Sequence, residues 1–173
     1  MKLISAIMCS AVAVGAWSAV TGTASATDVH CDSGEGRDIT VVDGRTACRA
    51  AADSGYARAA GFDGVGYAKA TAGAVALGIG AAGGIGASQG VTGVPVAIGL
   101  GPDAYAYTSI DAAPGGNRLG ITVAMNGSRA QIDSAEHSAS CLGSAAFAWD
   151  SLSGTGCAAT PVGLWHTASS ALP

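Results

Sequence analysis

An all-β fold, a short Gly/Ala-rich β-solenoid or β-roll with a β-hairpin and disulfide-linked flanking segments, is what this 173-residue sequence predicts. Three observations carry that prediction. Residues 70–102 contain no charged side chain and alternate aliphatics with glycine or alanine. Strand-like units recur there about every ten residues, as solenoid coils do. Four cysteines lie in two local pairs outside this stretch. An ordinary β-sandwich is the competing architecture.

The chain opens with Lys2, an apolar run from Leu3 to Val20 and a small-residue stretch ending Ala24-Ser25-Ala26. These are the three parts of a secretory signal, with cleavage expected after Ala26. The polar residues from Asp28 onward argue against an uncleaved membrane anchor. Removing 26 residues leaves 147, a length suited to one β domain over 27–173. Lys2 leaves with the signal, so 7 basic residues face 12 acidic ones, a net of −5. That balance argues against nucleic acid or an anionic membrane surface as partner.

Cys9 also leaves, and an even set of four cysteines in an exported chain predicts two disulfides. Three connectivities exist. Local spacing favours Cys31 with Cys48 and Cys141 with Cys157, each closing a short loop at modest entropic cost. No Cys-x-x-Cys or paired histidines provide the spacing of a zinc site.

Residues 27–55 form the N-terminal hairpin segment. β-Branched residues flank Asp43-Gly44, a dipeptide suited to a type I′ turn. Ala47 to Arg58 allows a short helical turn, interrupted by Gly55.

Residues 56–118 hold the Gly/Ala-rich repeats, with the solenoid itself expected from about Tyr56 to Ser109. Their glycines weaken a membrane helix, and their aliphatics are too many for a solvated linker. Val75-Ala-Leu-Gly-Ile-Gly80 and Val96-Ala-Ile-Gly-Leu-Gly101 match at an offset of 21. A unit of about 20 residues with one strand on each face accounts for the spacing. The large member of each alternating pair is expected inside. Val75, Leu77, Ile79, Val96, Ile98 and Leu100 then form the core, and an aspartate at Ile98 would be severely destabilising.

Residues 119–173 supply a hairpin and a C-terminal cap. Two alternating arms surround Asn126-Gly127, a strong hairpin signal. Cys141 to Cys157 brings the aromatics Phe147 and Trp149, expected to cover the open end of the coils.

The segments Ile39 to Cys48, Gly64-Val-Gly-Tyr-Ala68, Val96 to Ala104, Met125-Asn-Gly-Ser128 and Cys141 to Trp149 together resemble a group of small exported actinobacterial proteins of unknown function. The resemblance covers most of the mature chain and implies export, with no activity and no site. The Val-Ala-Ile-Gly rhythm separately resembles the β-roll heads of trimeric adhesins, over about Gly64 to Ser109.

Several patterns invite chemical readings. Gly78-Ile-Gly-Ala-Ala-Gly83 fits a dinucleotide fingerprint, but the glycines that follow cannot open the helix such a site needs. Gly83 to Val91 approximates a calcium-binding nonapeptide, with Ser88 in place of the ligand aspartate. Asp32, Glu35, Asp38 and Asp43 could gather a cation, though a solvated acidic face is the simpler reading. Gly86-Ala-Ser-Gln-Gly90 fits a nucleophile elbow, with Asp103 or Asp111 and then His137 or His166 in hydrolase order. The residues after Ser88 cannot sustain the required helix, which makes Ser88 a coil-corner residue instead. His30 stands isolated, and Asp133 with Glu136 has no partner that would divide acid from base.

No catalytic, cofactor or metal residues are therefore assigned. The sequence points to an exported structural or interaction module of the cell envelope or extracellular space. Its expected partners are an envelope or extracellular protein or further copies of itself, with no membrane span after signal removal. The alternative is a small secreted serine hydrolase using Ser88 and His137 or His166.

Overall fold

The computed structural model describes residues 27–111 and 118–167. The signal segment expected over 1–26 lies outside the described residues. The described chain is all β, with β1 (Asp28–Ser33), β2 (Arg37–Asp43), β3 (Thr46–Ala52), β4 (Tyr56–Phe62) and β5 (Val65–Ala70) leading into the glycine-rich coils. Those coils comprise β6 (Val75–Ala81), β7 (Ile85–Gly90), β8 (Val94–Leu100), β9 (Tyr105–Ile110), β10 (Leu119–Met125) and β11 (Arg129–Asp133). The chain ends in β12 (Ser138–Leu142), β13 (Ala146–Asp150), β14 (Gly156–Thr160) and β15 (Gly163–Thr167).

Alternate strands fall into alternate sheets. The first sheet runs β1-β4-β6-β8-β10-β13-β14-β15 and the second β12-β11-β9-β7-β5-β3-β2. Strands β4, β6, β8 and β10 pair in parallel, as do β3, β5, β7, β9 and β11. The chain thus winds through about four coils of a β-solenoid, two strands to a coil. The winding reaches beyond the expected limits on both sides, because β3 and β11 belong to it. Strands at both ends pair antiparallel, which halts the parallel stacking.

Both expected disulfides are present, Cys31–Cys48 and Cys141–Cys157, each with Cα atoms 5.8 Å apart. Cys31 lies on the first sheet and Cys48 on the second; Cys157 and Cys141 repeat that arrangement at the far end. The bridges therefore staple one sheet to the other at each end of the coil, and all four cysteines are buried.

The interior reverses the expected core. Ala76, Gly78 and Gly80 of β6 and Pro95, Ala97 and Gly99 of β8 point inward, and the aliphatics between them point out. Val75 is 46% exposed, and Leu77, Ile79, Val96, Ile98 and Leu100 are only half-buried. The physical reason is the closeness of the sheets. A Cβ placed on Gly78 would overlap the Tyr67 carbonyl oxygen, and one on Gly86 the Ile79 carbonyl oxygen. At such positions backbone meets backbone across the coil, so no side chain larger than a hydrogen or a methyl fits there. The largest fully buried side chains are Ile110 and Ile132.

Four local expectations are also corrected. The pairing Asp43 with Thr46 makes Gly44-Arg45 the central pair of the first hairpin. Of the two, only Gly44 has positive φ (59°), the pattern of a type II′ turn. Residues 46–52 and 56–62 are strands, with no helical turn between them. The arms around Asn126-Gly127 do not pair with each other, because β10 joins the first sheet and β11 the second. Both residues take positive φ (51° and 74°), and the chain uses that bend as a solenoid corner. The match at offset 21 is likewise two residues out of register, since Leu77 pairs with Val96 and Ile79 with Ile98, each 19 residues on. An even slip preserves which face each residue occupies, so the sequence pattern cannot distinguish the two.

Candidate functional site

With the small residues committed to the interior, the large ones form two outer faces of different chemistry. On the first sheet, register lines up Ile79, Ile98, Val123 and Phe147 in one row and Leu77, Val96, Ile121 and Trp149 in the next. From β6 to β14 the outward positions of this sheet carry no titratable side chain, and His166 stands on the exposed edge strand β15. On the second sheet the corresponding rows are polar. Arg49, Tyr67, Ala87, Tyr107 and Gln131 form one row, and Lys69, Gln89, Ser109 and Asp133 another. Tyr105 stacks on Tyr107 with ring centroids 6.3 Å apart, and burial followed by its neighbour Tyr107 raises its phenol pKa.

At its C-terminal end the apolar face dips into a hollow of about 330 Å³. Gly156 and Ala158 form its floor because they are small. Phe147 and Trp149 wall one side from β13, and Trp165 stands opposite on β15. These aromatics are 44%, 37% and 52% exposed, so they line the outer surface.

Near the N-terminal end two carboxylates are paired with arginines. Asp32 accepts hydrogen bonds from Arg58 Nε (2.5 Å) and the Tyr56 hydroxyl (2.8 Å). Arg58, then Tyr56, holds the Asp32 carboxyl below its ordinary pKa. Asp38 accepts two hydrogen bonds from Arg49, which lowers its pKa in the same way. Asp32 and Asp38 thus serve different arginines on different sheets. Among the described residues no group of three or more His, Cys, Asp or Glu is placed to hold a metal ion.

One ion pair is buried. Asp150, at the end of β13, accepts from Arg118 Nε (3.1 Å) and Nη2 (2.6 Å), from the Leu152 amide (3.1 Å) and from the Ser153 hydroxyl (2.9 Å). Burial pushes the Asp150 pKa upward. The hydrogen bonds from Arg118, Leu152 and Ser153 outweigh burial and leave it below the ordinary value. This cluster ties the start of β10 to the turn after β13.

The residues singled out for hydrolase chemistry are not brought together. Ser88 is mid-strand in β7, not at a corner, and its fully buried hydroxyl has no hydrogen-bond partner. His137 occupies the β11–β12 turn with φ 51° and His166 lies on exposed β15. Asp103 and Asp111 stand outside the strands, beyond the ends of β8 and β9. Gly78, Gly80 and Gly83 serve coil packing and a corner, with no helix after them.

Residues 1–160 match the model of a family of unknown function (DUF6764), and the chain belongs to that family. No curated protein and no solved structure matches the chain.

Proposed function

We propose that this protein is a non-catalytic interaction module of the cell envelope or extracellular space that works through the apolar part of its first sheet's outer face, from β6 onward. The observation that carries this reading is the inverted placement of side-chain size. Residues large enough to fill a protein core stand outside, in continuous rows across β6, β8, β10 and β13 that no titratable group interrupts. Exposed apolar area on that scale is costly in a monomer and marks a binding surface. The buried disulfides fit an oxidising compartment, and export follows from the signal-like start and the resemblance to small exported proteins. Mass spectrometry of the released protein is expected to find Thr27 first; an intact Met1 would mean that the apolar run is kept as an anchor.

The hydrolase alternative has a direct test. A serine-reactive phosphonate probe is expected to leave Ser88 unlabelled, because its hydroxyl is enclosed and has no base. Alanine at Ser88, His137 or His166 is expected to complement a deletion strain fully. Labelling of Ser88, or a well-folded variant that fails to complement, would overturn the non-catalytic reading.

A further inference from the structure

We propose that the occupant of the first sheet's outer face is a second copy of this chain, packed face to face through the six strands β6, β8, β10, β13, β14 and β15 as a twofold dimer. The inference rests on the reading of that face as a binding surface and names its partner. Size is the first argument. Six strands from β6 to β15, at about 4.8 Å spacing and with five to seven residues of about 3.3 Å each, span roughly 29 by 20 Å. That is about 580 Å² in projection on each copy, so two copies together bury more than the roughly 1,000 Å² a specific interface needs. It also lies at the top of the range for the largest apolar patch of most monomers, roughly 300–600 Å².

Chemistry is the second argument. An occupant of this face must bring an apolar surface with no charge to desolvate. The face itself meets that requirement, because Leu77, Ile79, Val96, Ile98, Ile121 and Val123 are its centre and no titratable group interrupts them. Two such regular ladders can interdigitate at the roughly 10 Å spacing of stacked sheets. A flat, repeating surface is self-complementary about a twofold axis, the commonest symmetry of soluble oligomers. A bilayer is a poorer match. Surface-seated apolar faces are bordered by free Lys or Arg. Here Arg58 at the border is paired with Asp32, Asp28 stands farther along β1 opposite Phe62, and the whole chain carries a net −4.

Packing is the third argument. The monomer's interior is a backbone-to-backbone contact whose largest fully buried side chains are two isoleucines. Pairing of two outer faces would create the layer of interlocked aliphatic side chains that each coil lacks within itself.

Sedimentation velocity of the natively processed protein is expected to give a dimer at micromolar concentration. Ile98→Lys and Val123→Lys should each sediment as monomers, with the dissociation constant raised at least about 100-fold, because each buries an unpaired charge. Their far-UV circular dichroism should be unchanged. Tyr107→Lys, on the opposite face, should remain dimeric. Quenching of Trp149 by acrylamide in the unmodified protein should rise on dilution as the dimer dissociates, a readout that needs no variant to fold. A monomeric wild-type protein at about 100 μM, a dimer that survives both lysine variants, or a wild-type mass explained by bound lipid or a different chain would overturn the second-copy inference. If the wild type is monomeric yet Ile98→Lys fails to complement a deletion strain, only the partner's identity is wrong. If Ile98→Lys is monomeric and complements fully, the face is not the functional surface at all.

Discussion

Inside the coil and on the outer face of its first sheet, the same strands present alternate residues, yet the two sides obey opposite size rules. Interior positions of β6 and β8 are Ala76, Gly78, Gly80, Ala97 and Gly99; the exterior positions between them are Leu77, Ile79, Val96, Ile98 and Leu100. The difference teaches that an alternating strand identifies two faces without saying which is the core. Side-chain volume decides that only when the space between the sheets is known. Here the space is set by backbone contact, so a methyl group is the most that many interior positions accept.

The largest expected effect comes from filling that space. Gly99→Val should abolish folding or cost at least about 4 kcal/mol, because its Cβ would overlap the Ile85 carbonyl and rigid backbone cannot yield. Urea denaturation followed by circular dichroism measures it.

Breaking the buried ion pair should come next. Arg118→Met is expected to cost about 3–5 kcal/mol, since it leaves the Asp150 carboxylate buried without its cation. The same pair sets an acid limit. The folded-state pKa of Asp150 lies below its ordinary value of about 3.9, so its contribution is complete above that value and lost as pH falls through the lower folded one. Thermal midpoints should fall below about pH 4, with a shallower fall in Asp150→Asn.

Removing one staple between the sheets should be milder. Cys141→Ser with Cys157→Ser opens a link across 16 residues and is expected to cost about 2–4 kcal/mol. Differential scanning calorimetry of the double variant gives the value. Smallest of all should be Ile98→Asp on the outside, with a loss of fold stability below about 1 kcal/mol even where association is lost. That expectation reverses the one drawn from sequence.

How much was legible follows from the physics of each feature. The β class, the coil of about 20 residues and both disulfides were readable because alternation, spacing and loop length are local properties. The burial of Ala97 instead of Ile98 was not readable from periodicity, although the density of glycine was a clue: glycine cannot fill a core and is needed where backbones touch. Asn126-Gly127 signalled a bend correctly, but whether a bend closes a hairpin or turns a coil depends on which neighbours already occupy the sheet. Arg118 and Asp150 are 32 residues apart, with nothing local to link them. The apolar outer face was missed for the same reason as the core, since both depend on the choice of inward side.

One substitution made at two neighbouring positions tests that choice most directly. Ala87 on β7 faces outward, and Ala106 on the adjacent β9 faces inward and is fully buried. Both lie on the second sheet, away from the proposed dimer face, so association does not enter the comparison. Urea denaturation of Ala87→Leu is expected to stay within about 1 kcal/mol of the wild type, while Ala106→Leu should lose about 3 kcal/mol or more. Tolerance of leucine at Ala106 together with unfolding at Ala87 would contradict the account, because it would put the core on the face described here as the exterior.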